Sequence, residues 1–205
     1  MPSALSDAAL LVEHERAMRA AIADAELARG HTGDNPWVGC AIVDATGKLL
    51  ATGHTQGPGE DHAEIGAMRR VRELGVPFSE VTLYSTLEPC SFHGRTPACS
   101  RAIIEAGVVR VVTGIRDPNP RVDGLSVRML REAGVDVLEG VCEQAISVQL
   151  APWIFKYHPH EPLRRASALM LAAGGSRAAT IRSLSEHYGL EATVIEPIVA
   201  QLGRL

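Results

Sequence analysis

His62-Ala63-Glu64, Pro89-Cys90 and Cys99 are the pieces of sequence that decide how this chain is read. Together they supply one imidazole, two thiols and one carboxylate. A catalytic zinc takes three protein ligands and leaves its fourth position to water. His62, Cys90 and Cys99 match the three, and Glu64 is left over to move protons. Two residues apart in mid-helix, His62 and Glu64 would point in different directions. Gly57-Pro58-Gly59 breaks the chain just before them, so a loop-to-helix junction is expected, from which both reach one cavity. Pro89 is expected to open a short helix or turn, and a helix N-terminus lowers the pKa of a thiol such as Cys90. Two thiolates and a neutral imidazole leave a Zn²⁺ complex near neutral, which suits a bound water close to ionisation. Singly, each residue would read as a surface histidine or a small core cysteine; the combination, with its carboxylate at this offset, reads as a zinc site.

Working outward, the pattern is that of a layered α/β fold. Leu11, Met18, Ile22 and Ala25 recur at helical spacing within a helix predicted over 8–29, with Gly30 as its stop. Cys40–Val43 and Leu49–His54 read as a hairpin of strands around a turn at 44–48. A helix is predicted from His62 to Leu74, a strand over 81–85, and a long loop through Gly94 and Pro97. Ala98–Ala106 reads as a helix closed by Gly107, and Val108–Thr113 as an apolar strand covered on both faces. A further helix over 125–132, stopped by Gly134, precedes a strand over 135–138. Alternating strands and helices predict an α/β sheet sandwiched between helical layers. The composition changes after Trp153: His158, Pro159, His160 and Pro162 suggest a linker, and 163–205 is helical by pattern. We therefore expect a domain over 1–157 and a helical C-terminal extension over 158–205.

The bulk composition narrows the function classes. The chain has 205 residues, enough for one ordinary domain and an appendage. Aromatics are only 4% against 46% hydrophobic residues, so the core must be mostly aliphatic. A net charge of -4 argues against non-specific nucleic-acid binding, which needs a basic footprint. No stretch is apolar for long enough to span a membrane, and the N-terminus lacks the order of a secretory signal. A reduced cytoplasm is expected, where four cysteines point to metal or catalysis rather than disulfides. Cys40 and Cys142, in or beside apolar segments, read as inert thiols, and none of His14, His54, His158, His160 and His187 is assigned to metal.

A His-x-Glu, Pro-Cys and Cys set is the donor pattern of zinc deaminases, so hydrolysis of an amino group on a nitrogen heterocycle is expected. The wider sequence resembles the deaminase domain of the riboflavin-pathway diaminohydroxyphosphoribosylaminopyrimidine deaminases, within the cytidine-deaminase-like superfamily. The resemblance runs from about His14 to about Trp153. It is carried by Asn35-Pro36-Trp37-Val38-Gly39-Cys40, His62-Ala63-Glu64, Thr86-Leu87-Glu88-Pro89-Cys90, Gly94-Arg95-Thr96-Pro97-Ala98-Cys99 and Asp117-Pro118-Asn119-Pro120. The eight residues between Cys90 and Cys99 are typical of that branch, where most cousins have two. The resemblance implies a three-layer α/β/α cytidine-deaminase-like fold with a mixed central sheet and zinc at the N-termini of two central helices. It implies His62, Cys90 and Cys99 as ligands, Glu64 as proton shuttle, and Asn35, Arg95, Phe92, Asp117 and Asn119 on the substrate side. It also implies a small amino-heterocycle as substrate and a homo-oligomer.

Three departures stand out. Phe92 replaces a usual histidine, trading a polar contact for a stacking one. The usual Gly-Lys/Arg-Gly run after Asp117-Pro118-Asn119-Pro120 reads Val122-Asp123-Gly124-Leu125-Ser126, without the cation and with Asp123 adding negative charge. Bifunctional relatives continue into a nicotinamide-dependent reductase, but the tail here has no glycine-rich cofactor signature, so no reductase activity is expected. Residues 181–202 have a faint helix-turn-helix look around Gly189, read as a helical hairpin rather than a DNA reader. The favoured substrate is the diaminopyrimidine ribotide of riboflavin synthesis. The alternatives are a paralogue acting on another amino-heterocycle in secondary metabolism, and a non-catalytic binding module on a deaminase fold.

Overall fold

The computed structural model of the chain describes residues 7–157 and 170–193 and, singly, 167, 195, 196 and 199. The chain forms two compact units, Met1–Ile146 and Ser147–Leu205.

The first unit is built on a five-stranded mixed sheet in the order β2-β1-β3-β4-β5. Strands β1 (Gly39–Asp44) and β2 (Leu49–His54) form the expected hairpin. On its other edge β1 pairs antiparallel with β3 (Val81–Leu87). Strands β4 (Arg110–Ile115) and β5 (Asp136–Glu139) then add in parallel. Parallel neighbours need a crossover, and α3 (Cys99–Ala106) and α4 (Leu125–Glu132) supply the two. Val111 and Val112 of β4 are fully buried, as a strand covered on both faces requires.

Two glycines set the layer spacing. Helix α1 (Asp7–Ala25) lies so close to β1 that a Cβ on Gly39 would strike the Ala21 carbonyl oxygen. On the opposite face, a Cβ on Gly53 would strike the Ala63 carbonyl at the start of α2 (Ala63–Glu73) and lie 2.7 Å from the Ala67 amide nitrogen. Successive residues of a strand face opposite sides. Gly39 pairs with His54 and Cys40 with Gly53, so Cys40 and Gly53 share the α2 face while Gly39 faces α1. Ile146 of α5 (Glu143–Gln149) sits over Gly114 of β4. Helix α3 packs beside α2 and against α4. The result is the expected α/β/α sandwich with an aliphatic core: Met18, Ile42, Leu83, Ile103 and Leu130 are the largest of its fully buried side chains.

The sheet positions the site through its two central parallel strands. Leu87 and Ile115 are paired at the C-terminal ends of β3 and β4, and the Glu88 N–H donates to the Ile115 carbonyl at 2.9 Å. The loops carrying Cys90 and Asp117 therefore leave the sheet side by side, where open α/β sheets bind ligands.

The second unit contains α6 (Ala151–Tyr157) and α7 (Arg177–Tyr188). The Ser176 side chain caps α7 by accepting from the Ala179 N–H, and Gly189 closes it in the left-handed conformation. Ala151, Leu184, Ile195 and Val199 are buried together, with Met170, Leu171, Ile181 and Leu190 packed against them. The histidine-proline stretch at 158–162 lies outside the described residues. No helix among the described residues is long and apolar enough to cross a membrane.

Candidate active site

His62 is the N-cap residue of α2, in extended conformation (φ -74°, ψ 162°), and Glu64 lies in the first turn. The chain break at 57–59 thus does what the sequence suggests: it sets imidazole and carboxylate at one helix mouth. Cys99 is the first residue of α3. Cys90 departs from expectation, because residues 88–98 form no helix. Its sulfur is nonetheless held at a helix N-terminus, that of α3. The Cys99 N–H donates to Cys90 Sγ at 3.2 Å, and the Ser100 N–H to the Cys90 carbonyl at 3.1 Å. The amide Cys90 needed is lent by a helix nine residues downstream.

The three donors converge. His62 Nδ1 lies 3.3 Å from Cys99 Sγ and 3.6 Å from Cys90 Sγ. All three ligand atoms fall within 4.8 Å of one another, and they form the one such group of His, Cys, Asp or Glu among the described residues. Zn–S bonds of about 2.3 Å and Zn–N bonds of about 2.0–2.1 Å at tetrahedral angles imply N···S edges of roughly 3.5–3.6 Å. The observed edges fit a zinc ion held by His62, Cys90 and Cys99. The other imidazole nitrogen, Nε2, faces Thr96 Oγ1 at 3.4 Å, the outer partner that fixes a ligating ring.

The electrostatics favour this chemistry. The Cys99 side chain beside it, then the His62 ring and the Cys99 backbone N–H, hold the Cys90 thiol down to about 4 against its burial. Cys90, burial and the nearby Glu64 carboxyl push the Cys99 thiol up, so Cys90 is the first of the pair to ionise. The contact with Cys90 raises His62. Glu64 is only 3% exposed, and burial raises its carboxyl above the usual carboxylate value against the pull of His62. Ser85 Oγ of β3 donates to the Glu64 Oε1 at 3.3 Å, and the Glu64 backbone N–H and the Cys99 side chain also hydrogen-bond the carboxyl. A buried carboxyl with a raised pKa beside a metal-binding cluster is equipped to accept and return a proton. Cys40 is a fully buried thiol pushed up by burial, and the half-buried Cys142 points at the Glu15 carbonyl.

The expected substrate-side residues divide. Asn35 lies in the loop before β1, held by mutual hydrogen bonds with Thr32. Arg95 is exposed and pairs with Asp34 at 3.3 Å. Asp117 and Asn119 are buried, and their side-chain oxygens cap their own loop: Asp117 Oδ1 accepts the Asn119 N–H, and Asn119 Oδ1 accepts the Arg121 N–H. Phe92 finds its stacking partner within the chain, with the Arg121 guanidinium carbon 3.8 Å from its ring centroid.

Two residues were missed from sequence. Glu88 is 2% exposed, and its carboxylate accepts four backbone N–H groups, those of Asp117, Gly124, Ser126 and Val127, at 2.9–3.3 Å. The available signal was a carboxylate at the end of a buried strand just before Pro89. The other is Arg121, which lies just before the cation-free run Val122–Ser126, directly after Asp117-Pro118-Asn119-Pro120. Asp123, in turn, acts on Arg116 at the start of the same loop.

Comparison with known proteins agrees with this geometry. Residues 11–115 match the cytidine and deoxycytidylate deaminase zinc-binding region. The chain belongs to that zinc-dependent deaminase family. Within the family it is of the RibD type. It is 44% identical over 140 residues to the riboflavin biosynthesis protein RibD of Actinobacillus pleuropneumoniae, covering 68% of this chain and 36% of that protein. It is 45% identical over 130 residues to RibD of Escherichia coli (strain K12), covering 63% and 34%. The crystal structure of a diaminohydroxyphosphoribosylaminopyrimidine deaminase/5-amino-6-(5-phosphoribosylamino)uracil reductase from Thermotoga maritima superposes with a TM-score of 0.69 at 37% identity, covering 73% of this chain and 42% of that one. The chain spans little more than a third of the length of the two curated relatives.

Proposed function

We propose that this chain hydrolyses the ring amino group of the diaminopyrimidine ribotide of riboflavin biosynthesis, using the domain over 1–157. The observation that carries the reading is the buried Glu64 set beside the convergent His62, Cys90 and Cys99 donors. The 44–45% identity to RibD proteins supports the substrate.

Zinc held by His62, Cys90 and Cys99 supplies Lewis acidity that brings a water's pKa down toward 7. Glu64 accepts a proton from the attacking water and returns it to the ring nitrogen beside the carbon under attack. A second transfer through Glu64 protonates the departing amine, so ammonia leaves and a carbonyl remains. Ser85 steadies the Glu64 carboxylate between transfers. Thr96 holds the His62 ring with Nδ1 turned to the sulfurs. Asn35, Arg95, Phe92, Asp117 and Asn119 make up the substrate side, on the two loops beside the donors and the loop before β1. A reducing cytoplasm, where free cysteines persist, and a homo-oligomeric state belong to the same proposal.

The test is ammonia release by zinc-loaded protein offered the ribotide, with Glu64→Gln as the blank. Fast release is expected from the wild type. Glu64→Gln should keep its zinc and lose about 10²–10⁴-fold in turnover. No release from protein shown to hold zinc would refute the substrate and move the search to other amino-heterocycles.

A further inference from the structure

Arg121 is an exposed cation of the second of the two loops beside the zinc donors. Its backbone is held at both ends: Asn119 Oδ1 accepts its N–H at 3.1 Å, and its carbonyl accepts from Ser91 Oγ at 3.1 Å. Ser91 is the residue next to Cys90, so this bond ties Arg121 to the metal loop itself. Its guanidinium carbon lies over the Phe92 ring, 3.8 Å from the centroid. None of the ion pairs among the described residues involves Arg121. Arg121 and Arg95 are both exposed, but Arg95 is tied to Asp34 at 3.3 Å. The Asp123 charge close by in sequence acts on Arg116.

A guanidinium stacked through its face keeps its N–H edge open, and that fork matches the oxygens of a phosphate. Stacking also reduces the rotamer freedom that an unstacked arginine would lose on binding. We propose that Phe92 and Arg121 form a preassembled anion clamp that selects a phosphate monoester on the substrate, with Arg121 binding the anion and Phe92 positioning it. The clamp rests on the deaminase reading above and deepens it: the substrate carries its phosphate on the side of the ring turned toward Ser91. The loss of a cation from Val122–Ser126 and the gain of an aromatic at Phe92 then become one change, since the aromatic holds a cation supplied just before that run.

The test uses the full zinc-loaded chain, with the ribotide and its dephosphorylated riboside as paired substrates. Arg121→Gln should raise KM for the ribotide about 10- to 100-fold, the range of a lost charge-assisted contact. The kcat for the ribotide and the kcat/KM for the riboside should stay within about threefold. Phe92→Ala should give a smaller rise in ribotide KM, and Arg121→Lys an intermediate one, because lysine keeps the charge without the fork. An unchanged ribotide KM in Arg121→Gln, or a loss reproduced by Arg95→Gln alone, would overturn the clamp while leaving the deaminase reading intact. If the wild type does not turn over the ribotide, the substrate reading fails, and NMR of the arginine Nε–H signals decides the clamp separately. A saturable shift of the Arg121 signal with ribose 5-phosphate, and not with ribose, upholds it; no shift overturns it.

Discussion

Glu88→Gln is the most telling single change outside the donor set. The Glu88 carboxylate is buried and accepts four main-chain N–H groups: Ser126 and Val127 on Oε1, Asp117 and Gly124 on Oε2. Glutamine fills the same volume, so no cavity opens. It has one oxygen acceptor, and its amide nitrogen turns two hydrogens toward donors that need an acceptor. Two N–H groups are then unmatched, at about 1–3 kcal/mol each, for an expected loss of about 2–6 kcal/mol. The loss should appear in the urea midpoint at saturating zinc, with the m-value unchanged. Amide hydrogen exchange should also speed up at whichever pair of donors faces the glutamine NH₂, Asp117 with Gly124 or Ser126 with Val127. Stability within about 0.5 kcal/mol of wild type, with unchanged exchange at all four amides, would show that the carboxylate is not what closes this loop.

Other expectations follow from the same geometry. Because burial raises the Glu64 carboxyl, turnover should fall on acidification at a higher pH than an ordinary carboxylate would give, and Ser85→Ala should move that limb higher still; a pH–rate profile of the two proteins checks both. Gly53→Ala should lift the first turn of α2 off the sheet, costing about 1–3 kcal/mol and loosening zinc retention, read by thermal unfolding and metal analysis after dialysis. Burial holds His14 below its ordinary 6.5, and its Nδ1 hydrogen-bonds the Tyr84 hydroxyl at 2.8 Å, a hydroxyl that burial raises to about 12. The unfolded chain then binds the His14 proton first, so this contribution to stability is complete above about pH 7 and is lost as pH falls through 6.5 and below. His14→Gln should flatten that part of the Tm–pH curve; an unchanged slope would remove His14 as its source.

What could be read from the sequence were the features that repeat or break a pattern. The glycines after 106 and 132 and the apolar run at 108–113 placed α3, α4 and β4 to within a residue or two, and the helical spacing from Leu11 to Ala25 placed the start of α1, which ends at Ala25, four residues before the expected Arg29. The donor set was legible because zinc restricts ligand types and His62 sits beside a chain break. Contacts made by the backbone were not legible. Cys90 gains its helix N-terminus from α3, a pairing across a loop with no spacing rule. Glu88 and Arg121 owe their environments to two loops leaving adjacent strands, which only the order β3-β4 creates. Asp117 and Asn119 look alike as ligand contacts and as turn caps, since the same side-chain oxygens serve both.

The eight residues between Cys90 and Cys99 link these observations. A gap of two would give the first cysteine the start of the same helix and leave nothing to reach across. Here the intervening segment sends Thr96 to the His62 ring and Ser91 to the Arg121 carbonyl, and sets Phe92 under the Arg121 guanidinium. Glu88, just before the gap, holds the other side of the same loop through four amides. The metal loop and the 117–126 loop are therefore joined above and below the donors, so a change in one is felt in the other. Glu88→Gln should for that reason weaken more than stability: with the 117–126 loop released, Arg121 leaves the Phe92 face and ribotide KM rises, while zinc stays bound because His62 and Cys99 are anchored on α2 and α3. A Glu88→Gln protein that loses zinc in proportion to its rise in KM would show that the two loops hold the metal rather than the substrate.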